Sequence, residues 1–125
     1  MSCTIIDKTG KRLDWKLRQG QTWSFTMEFT DETTSDPIDL TIYTEIHLQV
    51  RKRPGADVLM EAKLTDNDFV ISGADDNVLE LSGIEVLPDR GVYRYDVDFI
   101  TSAGKKDQYF YGSIIIVDEI TTQPL

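Results

Sequence analysis

Cysteine is almost missing from this chain of 125 residues: Cys3 is the single one. No intrachain disulfide can form, and a thiolate zinc site would be short of ligands. Cys3 is expected as a small apolar residue, buried or half-buried. Histidine is as scarce, with His47 alone. No Ser/His/Asp set and no neighbouring Cys/His pair results, so triad-type nucleophilic catalysis has no candidates. Positive charge is in deficit, since 13 Lys and Arg against 22 Asp and Glu leave a net charge of −9. That balance argues against general duplex nucleic-acid binding, which needs many phosphate-neutralising cations. It suits solubility and a basic partner surface. No stretch approaches the ~18 consecutive apolar residues of a membrane-spanning helix. Residues 1–15 lack the apolar run and cleavage site of a secretory signal, so synthesis and folding in a reducing cytoplasm are expected. A Gly-rich phosphate loop is also missing; "GADDN" and "SAGKKD" have turn compositions. No cofactor is expected.

What the sequence has in quantity is alternation. In "TWSFTMEF" the residues Trp23, Phe25, Met27 and Phe29 alternate with Thr22, Ser24, Thr26 and Glu28. Such a period of two belongs to a strand with one buried face. "LDWKL" puts Leu13, Trp15 and Leu17 on one face. "EIHLQVRKR" and "VLMEAKL", joined by Pro54 and Gly55, predict a hairpin over residues 46–64 with Val58, Met60 and Ala62 inward. "VYRYDVDFI" aims Tyr93, Tyr95, Val97 and Phe99 one way and Arg94, Asp96 and Asp98 the other. "QYFYGSIIIV" is apolar on nearly both faces, which predicts a central or covered strand. Seven to nine such strands without a convincing helix define an all-β antiparallel sandwich. The expected organisation is an N-terminal extension or edge strand, residues 1–17, and one domain, residues 18–125.

A local pattern narrows the kind of sandwich. "DRGVYRY", residues 89–95, resembles the Asp-x-Gly-x-Tyr-x-Cys signature at the start of strand F in immunoglobulin domains. There the tyrosine hydroxyl folds back onto the backbone as a tyrosine corner. Tyr93 takes that position here, and Tyr95 stands where the disulfide cysteine would be. Trp23 or Phe25, on the strand equivalent to B, is expected to fill the space of the missing bridge. The alternative is that Tyr93 is an ordinary core aromatic.

Other residues invite chemical readings. "TDND" and "ADDN" bring Asp66, Asp68, Asp75 and Asp76 to two loops around one short strand, an oxygen-rich composition that makes them calcium candidates. The same residues are common in turns for purely local reasons. Asp96 and Asp98 share a strand face and are the candidates for a carboxylate hydrolase. Arg51, Lys52 and Arg53 form a basic hairpin tip, and together with Trp15 they are candidate partner contacts. Tyr43, Tyr109 and Tyr111 are the candidate aromatics of a receptor- or carbohydrate-binding module.

Taken in order, "RQGQTWSFTMEF", "DPIDLTIYTEIHLQVRKRPGADVLMEAKLT" and "NVLELSGIEVLPDRGVYRYDVDFITSAGKKDQYFYGSIIIV" resemble a family of small immunoglobulin-like structural proteins of tailed bacteriophages. The arrangement is similar to the N-terminal domain of phage baseplate upper proteins, and the likeness covers residues 18–117. The resemblance implies a non-enzymatic virion component of the tail, baseplate or tail fibre. Its partners would be other phage structural proteins and, in some cases, further copies of itself. A capsid decoration protein bound to the major capsid protein is the alternative. No nucleic acid or membrane is implied.

Overall fold

The computed structural model describes residues 10–31 and 33–118, together with the backbone of residues 2–5. The Cys3 side chain lies outside the described residues. Eleven strands run through them: β1 Ser2–Ile5, β2 Lys11–Arg12, β3 Trp15–Arg18, β4 Thr22–Phe29, β5 Tyr43–Arg51, β6 Val58–Lys63, β7 Phe69–Ser72, β8 Val78–Glu85, β9 Gly91–Thr101, β10 Lys106–Asp107 and β11 Phe110–Val117. Single turns of 3-10 helix precede β5 and β7. The strand count exceeds the expected seven to nine because two-residue strands such as β2 and β10 leave no periodicity to read.

The strands form two sheets. The smaller has the order β1-β4-β8-β7; the larger runs β2-β11-β9-β5-β6, with β3 also on β11 and β10 on β9. In the lettering of immunoglobulin domains these are the A-B-E-D and G-F-C orders, extended past C by one further strand. The fold is thus an all-β sandwich with an immunoglobulin-like order of strands. One expectation needs correction. The sandwich is not wholly antiparallel, because β1 lies parallel to β4, and β2 and β3 lie parallel to β11. The N-terminal segment supplies these parallel strands.

The alternating residues meet between the sheets. Trp23, Phe25, Met27 and Phe29 from β4 face Tyr93, Tyr95, Val97 and Phe99 from β9, all buried. Aromatic rings dominate this layer and pack edge to face: Trp23 on Tyr95 at 6.2 Å, Phe29 on Phe99 at 5.7 Å, Phe99 on Tyr109 at 4.8 Å. Such geometry sets the positive ring edge against the negative face. β11 is central in its sheet, between β9 and the N-terminal strands. Its Phe110, Ile114 and Ile116 are buried, while Tyr111 and Ile115 look outward.

The expected alternation fails in the β5–β6 hairpin. A register shift between Val50 and Arg51 puts a bulge in the β5–β6 hairpin, and both Val58 and Leu59 emerge at the surface. A bulge inserts one extra residue and so breaks the period of two.

Candidate functional site

The residues singled out by sequence fall into distinct places. Tyr93 forms the tyrosine corner: its hydroxyl donates to the Asp89 carbonyl at 2.6 Å. Burial, with the Asp89 charge nearby, pushes the Tyr93 phenol above its ordinary pKa, so it stays a donor. Tyr95, in the cysteine position, meets Trp23 across the two sheets. Its hydroxyl also accepts the Trp15 indole N–H at 3.0 Å and donates to the Leu13 carbonyl. Trp15 stacks on Phe25 at 5.3 Å and meets Trp23 edge-on at 5.5 Å. Trp15, a candidate partner contact, is thus engaged with the chain's own aromatic layer through its ring and its indole N–H. Parallel pairing of Trp15 with Ile114 carries its ring over the end of the aromatic layer, where it is half-buried.

Around Tyr95 the N-terminal segment makes a tight passage. β2 and β3 pair with β11 in one continuous register, with the Leu13 N–H still donating to the Tyr111 carbonyl at 2.8 Å, but the ladder is interrupted between them at Asp14. The Asp14 carboxylate takes the place of the lost backbone acceptor and accepts the Ser113 N–H at 2.9 Å. That bond, with Arg12 beside it at 3.1 Å, holds the Asp14 carboxyl below its usual range. Gly112 permits the passage. A Cβ there would sit 2.2 Å from the Leu13 carbonyl oxygen.

The three candidate glycan-binding aromatics divide. Tyr43 and Tyr109 are buried, and only Tyr111 is exposed. The Tyr43 hydroxyl bonds Asp107 and the Tyr109 hydroxyl, each at 2.6 Å. Burial and the Asp107 hydrogen bond drive the Tyr43 phenol far above its ordinary pKa. Alternation alone could not separate these tyrosines, because Tyr109 precedes the last strand and Tyr43 begins another.

The calcium candidates do not converge. Asp66 and Asp68 lie before β7, Asp75 and Asp76 after it. A four-residue strand separates the two loops by about 13 Å, too far for one ion. Among the described residues no group of three or more His, Cys, Asp or Glu is placed to hold a metal. Local bonds account for these loops. Asp68 accepts the Lys63 N–H at 3.0 Å, and the Asp76 carbonyl accepts the Leu40 N–H at 2.9 Å. Buried Asn77 donates to the Phe29 carbonyl at 3.2 Å.

The basic tip divides. Arg51 donates to the Ala56 carbonyl at 3.0 Å and to Gln49 at 3.1 Å. The Lys52 ammonium sits 4.6 Å above the Tyr93 ring. Arg53 is exposed at the turn. Asp96 and Asp98 lie side by side on the sheet rather than across a cleft, the arrangement a two-carboxylate hydrolase needs.

Where polar groups do gather is the outer face of the larger sheet. Three strands place Gln49, Asp96 and Tyr111 in one row, and Arg51, Arg94 and Ser113 in the next row along. A shallow cavity of about 290 Å³ opens there, with Arg94, Asp96, Gln49, Arg51, Gln108 and Tyr111 in its wall. Burial, then the nearby Asp98 charge, raises the Asp96 carboxyl above its usual range, although Arg51 opposes this. The Asp96 carboxylate and the Arg94 guanidinium have no hydrogen-bond partner among the described residues, although the Arg94 charge helps to lower the nearby Asp14 carboxyl. Sequence placed Arg94 and Asp96 on one strand face. It missed Gln49, Gln108 and Tyr111 as their neighbours because cross-strand register is not readable from a single strand. Compared with known proteins, the sequence matches no protein-family model, and no curated protein matches it.

Proposed function

We propose that this chain is a non-enzymatic structural adaptor of a tailed-bacteriophage virion, part of the tail, baseplate or tail fibre. The observation that carries the reading is the ordered set of phage-like motifs, each of which sits where it controls the fold. The Gly20 turn leads into β4, with the Gly20 N–H bonded to the Val86 carbonyl at 2.9 Å. "DLTIY" forms the 3-10 turn that enters β5, capped by the Asp39 carboxylate on the Thr41 N–H. The Pro54–Gly55 turn closes the β5–β6 hairpin, and Tyr93 closes the corner before β9.

Surface character supports an adaptor as well. Val58, Leu59 and Leu87 are exposed apolar side chains. Leu59 and Leu87 share a shallow depression with Pro88, Asp89 and Tyr93, next to the outer strand β6. Exposed strand edges and apolar clusters are common docking surfaces in assemblies.

Cryo-electron microscopy and quantitative mass spectrometry of purified phage particles test the proposal. The expected result is density for this sandwich in the tail, at the copy number of a tail ring or fibre set. Copies spread over the capsid lattice would replace the tail assignment with the decoration role. A free monomer absent from purified particles would overturn both.

A further inference from the structure

The geometry points to a saccharide-binding site on the outer face of the larger sheet, centred on Asp96 and Arg94 with Tyr111 as its aromatic wall. This inference does not depend on the phage reading, since it rests on the residues and cavity of this sheet face.

Three observations carry it. Arg51 and Arg94 stand directly opposite each other on neighbouring strands. Like charges in that position are unfavourable. The Arg51 guanidinium is held by the Ala56 carbonyl and Gln49, whereas no described group accepts from the exposed Arg94 guanidinium beside it. Second, Asp96 is half-buried, next to Arg94 on the same face of β9 and diagonal to Arg51, and no described group donates to its carboxylate. Third, the cavity adds two amide side chains, Gln49 and Gln108, and the exposed ring of Tyr111.

The chemistry of that wall selects the ligand class. A bare anion would meet the Asp96 carboxylate, and a bare cation would meet two guanidinium groups. A polyhydroxylated ring avoids both conflicts, because every hydroxyl donates and accepts. One hydroxyl donates to Asp96 while its neighbours accept from Arg94 and the amides. The apolar C–H face of the same ring lies against Tyr111, which offers a rigid surface with a polar tip. About 290 Å³ is at the small end for ligand pockets and has room for one sugar ring, the terminal unit of a longer glycan.

NMR titration of the isotope-labelled chain of 125 residues decides the matter. The probes are D-glucose, D-galactose, N-acetyl-D-glucosamine and D-glucuronate, with inorganic phosphate and glycine for comparison. We expect at least one sugar to shift the amides of Asp96, Gln108 and Tyr111 with a Kd of about 1 mM, as befits a single small ring. Asp96→Asn and Arg94→Ala should each weaken that binding about tenfold while the spectrum stays that of the folded protein. Both side chains lie on the outer face, so at least one variant will fold. The site is overturned if no sugar moves these amides at about 50 mM. It is equally overturned if phosphate or glycine binds there more tightly than every sugar, or if the folded variants bind like the parent.

Discussion

Tyr95 shows how much one side chain can organise. In a disulfide-bearing immunoglobulin domain this position joins the two sheets covalently. Here a phenol does two jobs: its ring meets Trp23 in the opposite sheet, and its hydroxyl ties Trp15 and Leu13 to the core. Tyr95→Phe keeps the ring and removes only the oxygen. It leaves the Trp15 N–H and the Leu13 carbonyl each short of one partner, at an expected cost of about 1–3 kcal/mol. Urea unfolding of the variant measures this, and a midpoint equal to the parent's would refute the role. Sequence alone exposed half of this arrangement. The Asp-x-Gly-x-Tyr spacing identified Tyr93 and the cysteine-like position of Tyr95. It could not identify the partners of the Tyr95 hydroxyl, because they lie about 80 residues away in a segment without fixed register to β9.

At the level of elements, the N-terminal strands are the least legible part. "LDWKL" has the right alternation, yet its partner β11 lies at the far end of the sequence, and parallel pairing leaves no hairpin signal. β4, β5, β9 and β11, by contrast, are readable because each has one face in the aromatic layer and turn residues at its ends. β8 is readable as a strand only to Ser82, since Gly83 and a register shift against β4 break its alternation before Glu85. The glycine in the middle of β11 was the one available clue, since glycine inside a strand often marks a close backbone approach. Gly112→Ala places a methyl group against the Leu13 carbonyl, and the segment must move. Overpacking of this kind typically costs about 1–3 kcal/mol. Hydrogen exchange should locate the damage: the amides of Lys11, Leu13 and Ser113 lose protection, while those of the β5–β6 hairpin do not.

For the molecule as a whole, the acidic balance controls the response to pH. Asp14, Asp39 and Glu61 are held below their ordinary carboxyl range by hydrogen bonds from Ser113, Thr41 and His47 respectively. Burial alone would raise Glu45, but bonds from Thr65 and the Ile46 backbone bring it below as well. A depressed carboxyl stabilises the fold above its unfolded pKa, near 4, and that contribution is lost as pH falls through the lower folded value. Asp96 acts in the opposite sense. Its raised value means the folded state holds the proton more tightly, so ionisation works against folding as pH rises from about 4. Thermal melts should therefore show Tm falling below about pH 4. Asp96→Asn should raise Tm at pH 7 and lose most of that advantage at pH 3. A variant no more stable than the parent at pH 7 would refute this account of Asp96. None of this was readable from composition, which counts carboxylates without saying which are bonded.

The parallel pairing of β3 with β11 has a mechanical consequence. Suppose tension is applied through residues 10 and 118, pulling the two ends of the described chain apart. Because β3 and β11 run the same way, that load slides one strand along the other. Every backbone bond from Trp15 to Arg18 resists together, and the Tyr95 hydroxyl and Asp14 carboxylate act as further stops. An antiparallel pair loaded at one end would instead unzip bond by bond. Single-molecule stretching should show one high-force event before the sandwich opens, and Gly112→Ala should lower it.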